Sequence, residues 1–420
     1  MEALIPRAVA PQAQAILDFS PVLTLDGARQ VGKSTLAQML SHSRESLALT
    51  LDDPGTLAAA RHDPRGFVEQ AGERTLIIDE VQRMPELTVA VKASVDRDRR
   101  PGRFILTGSS DLSRLRGHKD SLAGRAMSLR LFPLGQAEID GVEAPRTFAD
   151  RVLAASSENR LPDGMPIINR AALIERIVRG GYPAIREASP RLHGRWLDDY
   201  VNRLLRVDAG DDSSRTDPAR LESLLRLIAA NQSGELVKAR LAQEASLPAS
   251  SVTTYVDVLS RLYLIDTLRP WEPNLTTRET GRPKVMVSDS GLAARLMGQT
   301  AGSLSDMVAG STMLGSLLEG FVAAELRAQQ EWSETSYRLF HWRDRNGKEV
   351  DLIIELDDGG IVAVEVTSTR SLQGRHFAGL DFLKDRLGPR LRAGVVLAPL
   401  DEPLRYADRL WGLPVSALWQ

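Results

Sequence analysis

A glycine-rich segment near the start of the chain carries the residue types that bind phosphate. The segment GARQVGKST matches the pattern GxxxxGK[ST] at Gly27, Gly32, Lys33 and Ser34. Its glycines let backbone N–H groups turn inward around phosphate oxygens, while the lysine reaches the β- and γ-phosphates and the serine ligates Mg²⁺. The spacing predicts a site for ATP and Mg²⁺. The residues predicted to bind them are Gly27, Arg29, Gln30, Val31, Gly32, Lys33, Ser34 and Thr35.

An acidic pair follows an apolar run further along the chain, in Leu76–Glu80 (LIIDE). Three apolar residues predict a buried strand, and Asp79 and Glu80 stand at its end. Two adjacent carboxylates there are costly unless a cation is near. We expect Asp79 to hold Mg²⁺ through water and Glu80 to polarise the attacking water.

Two more segments offer groups for the same chemistry. The predicted strand Phe104–Leu106 leads into Thr107 and Ser109, either of which could bond the water or the γ-phosphate as a sensor does. Arg125 and Arg130 are candidates for an arginine that stabilises transition-state charge, and we favour Arg125, acting in cis or from a neighbouring subunit. The alternatives are an ordinary polar turn and two ordinary surface arginines.

The elements that must position these groups form three regions, predicted at residues 1–150, 165–312 and 313–420. The first alternates short strands and helices, which is typical of an α/β fold with a parallel sheet. The second has three helical patterns followed by two strands, the order of a winged helix. The third has a helix, three strands, a helix and a further strand. A polar stretch, Ser156–Pro166, predicts a linker or exposed loop. The predicted strands are Val22–Leu25, Leu47–Leu51, Leu76–Ile78, Phe104–Leu106, Arg125–Phe132, Leu264–Leu268, Val285–Val287, Leu339–Trp342, Val350–Glu355, Ile361–Val366 and Ala393–Leu397, and the predicted helices are Lys33–Leu40, Leu221–Ala230, Glu235–Ala245, Ser250–Leu262 and Leu314–Gln330.

Composition narrows the class of protein. The 420 residues include no cysteine, so disulfides and thiolate zinc sites are excluded, and the net charge of −2 gives no global attraction to nucleic acid. Only seven of the 53 basic residues are lysine. The start of the chain does not resemble a signal peptide, and no apolar stretch approaches the roughly 18 residues that span a bilayer. We expect a soluble cytoplasmic protein without a membrane partner.

Several motifs occur together in an order that resembles a known family. GARQVGKST, LIIDEVQRMPEL, FILTGSS and SLAGR are followed by GGYP, SDSGLAARLMG, GSLLEGFVAAEL and FHWRDRNGKEVDLIIE. This resembles the bacterial and archaeal AAA-type ATP-binding proteins fused to a C-terminal domain of unknown function. The resemblance implies a sheet in which one strand separates the acidic strand from the phosphate-loop strand. It also implies ATP, Mg²⁺ and homo-oligomerisation.

The C-terminal region also looks like a restriction-endonuclease-like core. Asp351 and Glu365 lie on adjacent predicted strands and Glu319 on the preceding helix. In such a core the carboxylates bind Mg²⁺ or Mn²⁺ and a lysine two positions past the glutamate activates water. Thr367 occupies that position here, and Lys384 is a remote substitute. The alternative is a nuclease-like fold kept for binding.

Two functions stay open at this point. One is an ATP-driven switch whose nuclease-like C-terminal domain binds a partner, which Thr367 favours. The other is an ATP-regulated, metal-dependent DNA endonuclease, which the carboxylates Glu319, Asp351 and Glu365 favour. The predicted recognition helix Ser250–Leu262 carries Arg261 as its sole cation. Its composition favours packing or a protein interface over base readout.

Overall fold

The structure is a computed structural model that describes residues 4–108, 122–208, 216–306, 310–344 and 347–419. The chain divides into two compact units. The first unit comprises residues 1–134, 182–184 and 261–263, and the second comprises the remaining residues.

The first unit is built on a parallel five-stranded sheet in the order β2-β3-β4-β1-β5. Every residue of β1 is buried, as expected for a central parallel strand covered on both faces. One strand, β4, separates β3 from β1, as the family resemblance implies. The strands are β1 Val22–Asp26, β2 Ser46–Thr50, β3 Thr75–Asp79, β4 Phe104–Thr107 and β5 Ala126–Arg130, and the helices are α1 Ala10–Phe19, α2 Lys33–Ser41, α3 Pro54–His62, α4 Pro64–Glu69 and α5 Leu87–Arg97.

The second unit begins with helices and then forms a small sheet. The predicted helices are present as α10, α11 and α12. The short strand β6 lies between α10 and α11 in the chain, and it forms an antiparallel three-stranded sheet with the later strands β7 and β8, in the order β6-β8-β7. Residues 158–169, around the predicted linker, contain no helix or strand. The elements are α6 Gln136–Ile139, α7 Phe148–Ser157, α8 Arg170–Arg179, α9 Pro190–Arg203, α10 Pro218–Ala230, β6 Gly234–Glu235, α11 Lys238–Glu244, α12 Ala249–Arg261, β7 Ile265–Leu268, α13 Leu275–Thr280, β8 Lys284–Val287, α14 Ser290–Leu296 and α15 Ala301–Ser305.

The C-terminal part of the second unit contains a mixed six-stranded sheet in the order β13-β14-β12-β11-β10-β9. Strands β9, β10 and β11 are antiparallel neighbours, whereas β11, β12 and β14 run parallel. The elements are α16 Ser311–Gln329, β9 Tyr337–Arg343, β10 Glu349–Leu356, β11 Ile361–Val366, α17 Ala378–Leu387, β12 Leu391–Ala398, β13 Leu404–Ala407 and β14 Leu410–Pro414.

The α/β class and the predicted strands and helices are confirmed, with ends that shift by a few residues. Strands β13 and β14 were not predicted. The winged-helix and endonuclease-like assignments stay predictions, although the element order agrees with both. Within the described ranges, no helix has the length and apolarity needed to cross a membrane.

Candidate functional site

The glycine-rich loop joins β1 to α2 at the carboxyl edge of the first sheet. Gly27 has φ +143°, and a Cβ atom there would lie 2.2 Å from the carbonyl oxygen of Leu131, so only glycine fits. Gly32 has φ +97° and leads directly into α2, which starts at Lys33. The loop thus ends at a helix N-terminus, where backbone N–H groups and the helix dipole favour an anion.

Lys33 is buried beneath the loop and bonds to the loop's own carbonyl groups. Its Nζ donates to Gly27 O at 2.9 Å and to Ala28 O at 2.7 Å. Burial lowers the pKa of Lys33 to about 8, against the opposing charges of Glu80 and Asp79. Neutral carbonyls compensate a buried ammonium only in part. The described contacts of this ammonium are thus neutral oxygens, and the environment suits a negatively charged ligand.

Ser34, Asp79 and Thr107 meet above this lysine. The Ser34 hydroxyl lies 2.9 and 3.0 Å from the two carboxylate oxygens of Asp79. The Thr107 hydroxyl donates to the same carboxylate, at the end of β4. Three separate elements therefore converge on an oxygen-rich group, and oxygen ligands are those that Mg²⁺ prefers.

Glu80 sits immediately after β3 in a left-handed conformation, with φ 59° and ψ 42°. Such a conformation is uncommon for a side chain of this size and occurs most often at functional sites. Its backbone N–H donates to the Thr107 hydroxyl at 3.4 Å, and the Gln82 side-chain amide donates to its carboxylate. The turn directs Glu80 away from the path of a continuing strand, and Gln82 fixes its carboxylate.

The two candidate arginines lie at opposite edges of the sheet. Ala126 of β5 pairs with Val22, where β1 begins, so Arg125 lies at the amino edge, remote from the loop. There its Nε donates to Asp96 at 2.6 Å, and this bond lowers the pKa of Asp96 to about 2. The structure therefore does not bring Arg125 to the phosphate loop within one chain. Its action from a neighbouring subunit stays a prediction.

Arg130 is at the carboxyl edge, paired in register with Asp26 where the loop begins. Its guanidinium lies 4.4 Å from the ring centre of Phe132 and 4.8 Å from that of Tyr263. The two rings hold the guanidinium between them. Arg130 is thus the arginine of the two that lies beside the loop.

The remaining predicted nucleotide contacts lie on the loop or in the first turn of α2. Val31 is buried, Arg29 and Thr35 are half-buried, and Gln30 is exposed with φ 64°. Ser109, the alternative to Thr107, lies outside the described residues.

Sequence reasoning missed Arg7, which braces the loop from outside the sheet. Its two Nη atoms each donate at 2.8 Å, one to Val31 O and the other to Phe132 O. Arg7 is buried, and it ties the loop to the chain that follows β5. No sequence motif surrounds Arg7. Its burial in the segment before α1 distinguishes it from other arginines, and the structure alone shows that burial.

In the second unit the three predicted carboxylates come together, but a lysine lies among them. Lys284 of β8 has its Nζ 2.6 Å from Glu319 Oε1 and 3.3 Å from Asp351 Oδ1. Asp351 also accepts from the Val366 N–H at 2.9 Å. The antiparallel register of β10 and β11 places Glu365 opposite Asp351, and the two carboxyl groups share a hydrogen bond.

Lys284 already supplies a positive charge to this cluster. Although burial opposes it, the carboxylates of Glu319 and Asp351 raise the pKa of Lys284, so the lysine stays charged. Burial and the adjacent Asp351 raise the pKa of Glu365 well above its usual range, which favours its protonated form. Burial also raises the pKa of Glu319, and Lys284 counteracts that rise.

These contacts correct the predicted metal site on Glu319, Asp351 and Glu365. Among the residues that the structure describes, no group of three or more His, Cys, Asp or Glu is arranged to hold a metal ion. The cation between the carboxylates is instead an ammonium group. It comes from Lys284, on the small sheet, and not from Lys384.

Comparisons with known protein families match three segments of the chain. Residues 19–140 match a family model described as an AAA domain. Residues 170–303 and 314–418 match two domains of unknown function, DUF8612 and DUF4143.

Among curated proteins, the chain is similar to an uncharacterized protein of Mycobacterium tuberculosis. The two are 27% identical over 354 residues, which cover 83% of this chain and 71% of the relative. Among solved structures, the Walker-type ATPase PABY2304 of Pyrococcus abyssi gives a TM-score of 0.39 at 16% identity, covering 70% of this chain and 96% of that one. DnaA from Aquifex aeolicus bound to AMPPCP gives a TM-score of 0.26 at 14% identity, covering 60% and 86%.

Proposed function

We propose that the protein is a Mg²⁺-dependent ATPase, because residues 19–140 match the model of an AAA domain. The observation that carries the proposal is the convergence of Ser34, Asp79 and Thr107 over the buried ammonium of Lys33. Lys33 and Ser34 belong to the first turn of α2, Asp79 ends β3, and Thr107 ends β4. Their residue types fit a nucleoside triphosphate together with a hard divalent cation.

Each residue has a role that follows from its position. Lys33 would exchange the carbonyls of Gly27 and Ala28 for phosphate oxygens. Ser34 and Asp79 would hold Mg²⁺, which supplies neutralisation of phosphate charge when bound. Glu80, fixed by Gln82, would orient the attacking water and accept its proton.

Three further residues support the site without holding the metal. Thr107 links Asp79 to the backbone of Glu80 and is placed to contact the γ-phosphate. Arg130 is the nearby cation of the same chain for charge that develops during transfer. Arg7 holds the loop in place through Val31 and Phe132.

For the output of the ATPase, we favour a switch whose C-terminal domain binds a partner. The endonuclease alternative requires carboxylates that are free to take a metal ion. Lys284 already compensates Glu319 and Asp351. Homo-oligomerisation remains a prediction of the family resemblance, and DNA binding through the C-terminal domain remains a prediction of its likeness to a restriction endonuclease.

A substitution of the loop lysine tests the ATPase. Lys33→Ala should abolish measurable ATP hydrolysis and weaken ATP binding by on the order of 10²-fold, because the buried charge that faces the phosphates is lost. Lys92→Ala, which removes a surface lysine of α5, is the control and should behave like the parent. Hydrolysis at the parent rate by Lys33→Ala would show that the loop is not the site.

Plasmid DNA incubated with Mg²⁺ or Mn²⁺, with and without ATP, separates the two outputs. A switch leaves the plasmid intact. Cleavage that disappears in Asp351→Ala would establish the endonuclease instead, because that substitution removes a carboxylate of the cluster and leaves the ATP site unchanged.

A further inference from the structure

A pocket in the second unit is lined by guanidinium groups. Its volume is about 330 Å³, and four of its ten lining residues are arginines, namely Arg269, Arg278, Arg327 and Arg338. Arginine is far less frequent in the chain as a whole, where Lys and Arg together number 53 of 420 residues. The four come from the end of β7 and from α13, α16 and β9, so no local run of sequence explains their convergence.

The inner wall of the pocket is rigid and carries surplus positive charge. Arg278 is buried and donates to both oxygens of Glu355, at 2.7 and 3.0 Å. Arg338 donates to the same carboxylate at 3.2 Å, so two guanidinium groups share one negative charge. The ring of Phe340 packs against both, 4.6 Å from Arg278 and 6.0 Å from Arg338. Such packing fixes the planes of the guanidinium groups.

The outer wall is held by a weaker pair. Arg269 bonds to Glu279 at 2.6 Å, and their side chains are 60% and 59% exposed. Exposed ion pairs of this kind contribute little stability, so an anion of higher charge can displace Glu279. Arg338 is 63% exposed and presents its free edge to the same opening. Arg327 donates to Thr267 O at 2.9 Å and pairs with Asp266 at 3.8 Å, so the four arginines of the pocket face the three carboxylates of Glu355, Glu279 and Asp266.

We propose that this arginine pocket binds a phosphate group, carried by a nucleotide end or by a nucleic-acid backbone. The planar fork of arginine matches phosphate oxygens two at a time. The volume is at the lower end of the ~300–1,000 Å³ typical of ligand pockets, which suits one phosphate with its sugar. The inference is independent of the ATPase, because every residue in it lies in the second unit.

The test measures binding of a fluorescent 20-nucleotide single-stranded DNA to the full-length protein at low salt. Two labelled forms, with a 5′-hydroxyl and a 5′-phosphate, distinguish the sources of phosphate, and calorimetry with inorganic phosphate tests the isolated group. Equal binding of both DNA forms assigns the pocket to backbone phosphates. Binding of only the phosphorylated form, or of inorganic phosphate alone, assigns it to a terminal or free phosphate.

Substitutions of opposite sign identify the pocket as the site. Arg269→Gln and Arg338→Gln should each weaken binding about tenfold, whereas Glu279→Gln should strengthen it about threefold by releasing Arg269. The matched controls are Arg343→Gln and Glu349→Gln, whose exposed side chains pair with each other outside the pocket and are each 51% exposed. These controls make the same changes of net charge and should alter binding by less than about twofold.

Two results would overturn the proposal. One is the absence of binding by both DNA forms and by inorganic phosphate. The other is equal effects of the pocket variants and their controls, which would reduce the binding to general surface charge. Arg278 is left unchanged throughout, since its loss would leave the buried Glu355 poorly compensated and would threaten the fold.

Discussion

Lys33 and Lys284 are both buried and both lie near acidic residues, yet their surroundings differ in kind. The ammonium of Lys33 contacts two neutral carbonyl oxygens, and burial lowers its pKa to about 8. The ammonium of Lys284 contacts two carboxylates, which raise its pKa despite burial. Among the residues that the structure describes, no anion contacts the ammonium of Lys33, whereas two contact that of Lys284. Charged residues gathered in one place therefore do not by themselves indicate a binding site.

The comparison predicts different consequences when each site loses a key group. At the loop, the groups are arranged for a ligand, so substitutions should change catalysis and binding more than stability. At the carboxylate cluster, the groups satisfy one another, so substitutions should change stability.

The largest expected effect concerns Glu80. Glu80→Gln keeps the size of the side chain and one hydrogen bond but cannot accept a proton from water. We expect ATP affinity close to that of the parent and turnover reduced by on the order of 10²-fold or more. Single-turnover hydrolysis measures the step, and Glu73→Gln, an exposed acid of the same unit, is the control. Lost affinity with normal turnover of bound ATP would contradict the role of Glu80.

Lys284→Met tests the other half of the comparison. Removing one partner of a buried ion pair leaves carboxylates without a counter-charge, and we expect a loss of about 3–5 kcal/mol in the free energy of unfolding. All six tryptophans belong to the second unit, so their fluorescence during urea unfolding reports on that unit alone. Lys238→Met, at an exposed position of α11, should cost little. A Lys284→Met protein as stable as the parent would mean that the cluster is solvated and that its lysine is dispensable.

The pH dependence of ATP binding follows from Lys33. With a pKa of about 8 in the free protein, Lys33 loses its proton as the pH rises through 8, whereas phosphate contact requires the charged form. Above pH 8, Lys33 must take up a proton when ATP binds. The affinity for ATP should therefore fall about tenfold between pH 7 and about pH 9. Fluorescent nucleotide titrations across this range measure it. In Lys33→Arg the charge persists, and the slope should vanish whatever the absolute affinity. A parent that shows no slope would place the pKa of Lys33 well above 9.

The smallest effect is expected at Arg125. Because this residue bonds to Asp96 at the edge of the sheet remote from the loop, Arg125→Ala should change turnover by less than about twofold, the scale of an exposed ion pair. Mixing it with Glu80→Gln protein should restore nothing. A large loss of turnover that mixing partly restores would show that Arg125 enters the site of a neighbouring subunit.

The sequence was sufficient wherever the chemistry is contiguous. Gly27 to Ser34 lie within one loop, and the apolar runs before Asp79 and Thr107 identify strands that end at the same edge of a parallel sheet. The pattern of apolar residues also located most strands but only a minority of the helices. It missed β13 because three of the four residues of that edge strand are exposed, so it has no buried face to produce a pattern.

Residues brought together from distant segments escaped prediction. Lys284 reaches Glu319 and Asp351 from a different sheet, and no spacing rule connects a strand residue with carboxylates 35 and 67 positions later. The rarity of lysine was a usable signal, but it pointed equally to Lys384. The distance of Arg125 from the loop within one chain escaped prediction for a related reason. Its position relative to the loop depends on the register of β5 against β1, which the sequence of either strand does not contain.

The strand order also determines how long β1 is without its neighbouring strands during synthesis. Strand β1 lies between β4 and β5, and Val22 pairs with Phe104 on one side and with Ala126 on the other. A ribosome adds about 5–20 residues per second, so roughly 100 residues of delay amount to about 5–20 s. During that interval the apolar β1 has neither neighbour available. The strand that leads into the phosphate loop is thus made well before the two strands that flank it in the sheet.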